Sequence, residues 1–126
     1  LFRSLINLLE TKLGDPENGI AQYEKYSPFI AESGHIENIA ALKQIKMRLY
    51  TEPDTLWWKE NRQNEPEDLN AFCIQQLAVQ LKNQRKSANF EFIATQNRGY
   101  RANGDRHPHA WSIVDEKELV TWMLDK

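Results

Sequence analysis

Chemistry in this chain concentrates in an acid-bearing turn and a histidine-bearing loop. Leu49-Tyr50-Thr51-Glu52-Pro53-Asp54 runs an apolar stretch into two carboxylates, and Asn89-Phe90-Glu91-Phe92-Ile93-Ala94-Thr95 leads to His107-Pro108-His109-Ala110-Trp111. A histidine that shuttles protons needs a carboxylate to fix its tautomer and to stabilise the imidazolium. An acid after one strand and a histidine after a later one make two members of a hydrolytic triad, in the chain order acid then histidine. The carboxyl ends of strands are where open α/β sheets place their ligands. Neighbouring strand ends lie about 5 Å apart, so Asp54 and His109 can meet despite their separation in sequence. The alternative is that Asp54 caps the turn after Pro53 and His109 is a surface loop residue. The nucleophile that should come first is not present.

Other residue groups carry weaker signals. His107 and His109 form an H-x-H pair that could chelate zinc with Asp54 or Asp105, but Pro108 separates them in a loop and His35 is remote. No metal is therefore expected. Trp57, Trp58 and Trp111 fall in segments expected to be loops around the site, where large rigid rings can line an acyl or aromatic substrate pocket. Packing against the neighbouring helix is an equal alternative for Trp58. Arg62, Arg98, Arg101 and Arg106 could grip a substrate carboxylate, or could be solvated loop charges, which is the favoured reading.

The elements that must position these residues alternate between helix and strand. Residues 1–13 repeat apolar side chains at helical spacing up to Gly14, and Asp15-Pro16 opens a second helix to about Tyr26. Residues 31–43 are ambiguous. Ile45 to Thr51 alternates as a strand, stopped by Pro53. Pro66 to about Lys86 is the clearest helix, with Leu69, Phe72, Cys73, Leu77 and Leu81 on one face. Residues 89–95 form the second strand, and Asp115-Glu116-Lys117-Glu118 opens a last helix with a capping box. Strand, helix, strand implies a parallel crossover.

At 126 residues, 40% hydrophobic and 27% charged, the chain has the composition of an ordinary globular domain. Sixteen basic against 18 acidic side chains gives a net charge of −2, which argues against nucleic acid as a partner. No run reaches the roughly 18–20 apolar residues of a membrane span, so no membrane is expected either. The single cysteine, Cys73, cannot form an internal disulfide and leaves the compartment open. The first residue, Leu1, already lies in an uncapped apolar helix, and two parallel strands alone make a poor sheet. Both point to one partial domain, residues 1–126, from the C-terminal part of a longer protein.

Taken together, these segments resemble the C-terminal half of an α/β-hydrolase of the esterase or acyl-peptidase type. Leu13-Gly14-Asp15-Pro16-Glu17, Tyr23 and Ser27-Pro28-Phe29 are similar to the segment such enzymes carry after the nucleophile strand and helix. Arg48 to Asp54 looks like their acid-bearing strand and turn. Arg106-His107-Pro108-His109-Ala110-Trp111-Ser112 resembles their histidine loop, with tryptophan two positions after the histidine. The resemblance spans most of residues 13–124. It selects His109 over His107 and Asp54 over Glu52 as the catalytic pair; on the reading of the residues themselves, Trp57 and Trp111 are the substrate-binding candidates.

The resemblance implies the C-terminal part of an α/β-hydrolase fold, two parallel strands with flanking helices, with the nucleophile half absent. It also implies a serine hydrolase that needs no cofactor and acts on a small-molecule ester or amide. The family's G-x-S-x-G nucleophile elbow is missing: Glu32-Ser33-Gly34-His35 lacks the flanking glycines and any preceding strand. The chain alone is therefore expected to be inactive. The competing expectation is a non-catalytic interaction module with a degenerate hydrolase fold. In either case an unpaired parallel edge favours association with the missing N-terminal half or with a second copy.

Overall fold

Two short segments rich in aromatic and aliphatic side chains pair side by side. In the computed structural model, which describes residues 2–40, 45–84 and 90–125, β1 (Met47–Thr51) runs parallel to β2 (Phe90–Ala94). Met47 lies opposite Phe90 and Thr51 opposite Ala94. Parallel strands cannot be joined by a tight turn. The connection here contains α4 (Thr55–Arg62), a 3-10 turn at Pro66–Asp68 and α5 (Asn70–Gln84). The chain is thus mixed α/β, with a two-stranded parallel sheet among the described residues.

The strands and the crossover belong to the second of two compact units, Leu1–Lys43 and Gln44–Lys126. Helix α5 packs on both strands. Leu69, Ala71, Leu77, Ala78 and Leu81 are all buried, and Leu81 has no exposed surface. The expected helix from Pro66 breaks at Leu69, which is extended (φ −90°, ψ 135°). Asp68 accepts from the Glu65 N–H at 3.1 Å, and the Leu69 N–H closes back on Pro66 O at 3.2 Å. That closed turn sends Leu69 inward before α5 begins. Lys86 and Asn89, the expected ends of this helix and of the second strand, lie outside the described residues.

A buried cation ties the last helix, α6 (Glu116–Leu124), to the sheet. Arg48 Nε donates to Glu91 Oε2 at 2.8 Å, and Nη1 donates to Glu118 Oε2 at 2.6 Å. Its guanidinium lies 4.4 Å from the centre of the Trp122 ring, and Trp122 Nε1 donates to Glu91 Oε1 at 2.9 Å. Burial alone would lower the pKa of Arg48, but the bonds to Glu118, Tyr50 and Glu91 outweigh it and hold the guanidinium more firmly protonated than usual. The start of α6 is capped as expected, by Asp115 accepting from the Glu118 N–H at 3.1 Å.

A second expectation in this unit fails. Trp57 and Trp58 are not in a loop: they lie on α4, because Asp54 caps it by accepting from the Trp57 N–H at 3.1 Å. The helix ends at Gln63, which adopts a left-handed conformation with φ 58° and bonds to Lys59 O.

In the first unit, α1 (Phe2–Leu13) stops at Gly14, whose φ is +86°. The helix expected from Asp15 to Tyr26 is shorter, because Asp15 accepts from Glu17 N and Asn18 Nδ2 and closes its own turn. Only α2 (Ile20–Glu24) remains helical. The ambiguous segment yields α3 (Glu37–Ala40); residues 41–43 lie outside the described set. Buried Ile36 anchors this unit, and Asn38 Nδ2 reaches Glu24 O and Ser27 O.

Since Leu81 of the crossover helix is fully buried, Leu81→Ala should cost about 3 kcal/mol of stability. Urea unfolding followed by tryptophan fluorescence measures it. A loss below about 1 kcal/mol, within the range of an ordinary surface substitution, would show that α5 does not hold the sheet.

Candidate functional site

The carboxyl ends of both strands are joined by a buried carboxylate. Glu52, one residue past β1, is 1% exposed. It accepts from Thr95 Oγ1 at 2.9 Å, from the Arg98 N–H at 3.0 Å, from the Gly99 N–H at 3.3 Å, and from Arg106 Nη2. Burial pushes its pKa up, but bonds from the Arg98 N–H, the Thr95 hydroxyl, the Gly99 N–H and Arg106 outweigh that and hold it below the usual carboxylate value.

Arg106 extends this network to the neighbouring acid. Its Nη1 donates to Gly99 O at 2.6 Å, and its Nη2 donates to Asp54 Oδ2 at 2.6 Å. One planar guanidinium thus joins the two carboxylates that flank Pro53 to the loop after β2. The loop closes tightly at Gly99: an added Cβ there would lie 2.6 Å from His107 O and 2.7 Å from Pro108 Cα. The His107 N–H donates to Gly99 O at 2.8 Å, and Tyr100 pairs with Arg106 in an isolated antiparallel bridge. Ser112 Oγ accepts from the Tyr100 N–H at 2.7 Å and lies 2.8 Å from the carbonyl oxygens of Arg98 and Tyr100.

These bonds set both histidines against α4. The His107 ring packs 5.5 Å from Trp57 and 5.7 Å from Trp58, and the His109 ring lies 5.4 Å from Trp58. Trp57 and Trp58 meet edge to face at 5.0 Å. His107 Nδ1 accepts from the His109 N–H at 3.3 Å, which leaves its ring proton on Nε2. Burial lowers the His107 pKa, with further lowering from Arg101, His109 and Arg62, so this imidazole is neutral at pH 7. His109 is exposed.

Asp54 and His109 enter one cluster through α4, which Asp54 caps and on which Trp58 meets His109. No hydrogen bond joins the two side chains: Asp54 Oδ1 takes the Trp57 N–H and Oδ2 takes Arg106. Between the strand ends lies a cleft of about 450 Å³, lined by Glu52 to Leu56 on one side and Ala94 to Asn97 on the other. Its size falls within the range of small-molecule sites.

Trp111 stands elsewhere. It is 64% exposed, its Nε1 bonds Glu116 Oε1 at 2.8 Å, and it lines a shallower hollow with Tyr100, Arg101 and Ser112. Trp57 and Trp111 therefore do not line a common pocket. Ser33 lies in an exposed turn of the first unit, where its Oγ accepts from the His35 N–H at 3.3 Å. Among the described residues no three His, Cys, Asp or Glu side chains converge as metal ligands, and no helix is long and apolar enough to cross a membrane.

Sequence reasoning passed over Glu52 and treated Arg106 as a solvated charge. The available signal was an acid directly at the end of an alternating strand; the arginine that neutralises it lies 54 positions further on and carries no local mark. No protein-family model, curated protein or solved structure matches this chain.

Because the folded pKa of Glu52 is depressed, its contribution to stability is complete above the unfolded value near pH 4.3 and is lost as pH falls through the folded pKa. Glu52→Gln should cost about 3 kcal/mol at pH 7 and flatten the fall in stability on acidification. Urea midpoints from pH 7 to pH 3 test this. Parallel pH profiles for variant and wild type would refute it.

Proposed function

We propose that this chain is the C-terminal portion of a serine hydrolase with an α/β-hydrolase fold, of the esterase or peptidase type. It supplies the triad acid, Asp54, and the histidine, His109, while the nucleophilic serine comes from sequence outside these 126 residues. The observation that supports this reading is the meeting of the acid turn and the histidine loop. They follow neighbouring parallel strands and share one side-chain cluster, and the acid turn borders a cleft between the strand ends.

In the proposed reaction a serine attacks an ester or amide carbonyl. His109 takes the serine proton and returns it to the leaving group, and water activated by the same imidazole then hydrolyses the acyl-enzyme. Asp54 orients the imidazole. Its carboxylate offers about four lone-pair sites, so the bonds to Trp57 and Arg106 leave room for a bond from the histidine ring. The Trp58 ring gives His109 an apolar wall against which to turn. The reaction requires no metal or organic cofactor.

A second reading has its own support. Asp54 is already bonded on both oxygens and His109 is exposed, as expected of a non-catalytic interaction module that keeps a degenerate hydrolase fold. A fluorophosphonate probe separates the two when applied to the intact protein that carries this chain. Labelling is expected on a serine outside these residues. His109→Ala should lower turnover by about a millionfold, while His107→Ala retains it. No labelling of the folded protein selects the interaction module, and equal loss in both histidine variants removes His109 from its role.

A further inference from the structure

We infer that Glu52 and Arg106 are positioning residues for the Asp54–His109 pair, an inference that rests on the hydrolase reading above. Arg106 immediately precedes the His107-Pro108-His109 segment, and its guanidinium is the direct side-chain bond from that segment to the acid turn. Its place is fixed from three directions: Glu52 from the end of β1, Asp54 from the N-terminus of α4, and Gly99 O from the loop after β2. Glu52, at 1% exposed, is the deepest of these anchors, and it also holds Thr95, Arg98 and Gly99. The separation between the acid and the histidine is therefore set by Glu52 through Arg106.

Charge gives the same pair a second effect. Glu52 and Asp54 share Arg106 Nη2, so without the guanidinium two carboxylates would face each other unneutralised and the pKa of one would rise. His107 senses further charges from Arg62 on α4 and Arg101 on the loop. Taking away the Arg106 cation leaves the acid turn beside the histidine loop more negative. Both changes move in one direction, towards protonation of the pair at higher pH.

Lysine is an incomplete substitute. A single ammonium keeps the charge but lacks the planar fork that reaches Gly99 O through Nη1 and both carboxylates through Nη2. Charge and position can therefore be separated by substitution.

The test uses the intact protein, assayed for ester hydrolysis from pH 5 to 9, with His109 followed in parallel by NMR titration in the absence of substrate. Arg106→Met and Glu52→Gln should each lower kcat by about a hundredfold with little change in KM, as expected for misplaced catalytic groups. The acidic limb of kcat/KM should move to higher pH in Arg106→Met, and the His109 titration should move with it. Arg106→Lys should lose turnover yet keep the wild-type limb, and it carries the test if Arg106→Met does not fold. An active wild type whose kcat and acidic limb are unmoved in Arg106→Met and Glu52→Gln overturns the inference. An inactive wild type whose His109 titration still moves in Arg106→Met overturns the hydrolase reading and leaves the Arg106 coupling standing.

Discussion

A buried carboxylate with four partners organises the end of this sheet. Removing Glu52 from water carries a desolvation cost that only full pairing offsets. The chain meets that demand with two backbone N–H groups, a hydroxyl and a guanidinium, all from the segment that follows β2. Satisfying one acid at the end of β1 thereby determines the path of residues 95–106. Gly99 is part of the same constraint, because its N–H must reach Glu52 while its carbonyl takes both Arg106 and the His107 N–H. A side chain at position 99 would collide with the His107 backbone. The histidine loop follows from an electrostatic requirement one strand away.

A second ionic network does comparable work for the last helix. Arg48 and Glu91 are partners in register, and between them they engage Glu118 and Trp122 of α6. Apolar packing by α5 gives the crossover its cohesion, but burial is non-directional and does not fix register by itself. Directional bonds from buried charges do fix it. The sheet is thus held by burial through α5 and indexed by two arginines, Arg48 on β1 and Arg106 beyond β2.

The periodic elements were legible in the sequence because each depends on local pattern. The alternation of Ile45 to Thr51, the helical face of Leu77 and Leu81, and the Asp115 cap all gave elements of the expected type. Helix α4 was missed because Trp57 and Trp58 are indifferent helix formers, and the decisive signal was one cap at Asp54. The expected helix after Gly14 shrank for a related reason: Asp15 bonds its own following backbone and forms a turn. The role of Glu52 was hidden more deeply. Its partners lie 43 to 54 positions along the chain, and no local pattern marks an arginine as the counterion of a distant acid.

Asp54 and Glu52 flank one proline, yet their surroundings assign them different work. Glu52 is enclosed, accepts from four groups and stays ionised because those groups favour the anion. Asp54 borders the cleft, caps α4 and keeps lone pairs to spare. Two carboxylates in unlike environments can take unlike roles. Here the enclosed one cannot approach an imidazole without giving up a bond to the loop that carries it. The open one can, because its present partners occupy one lone pair on each oxygen. On the proposed hydrolase reading, this accessibility suits Asp54 to serve His109, with Glu52 holding the acid turn through Arg106.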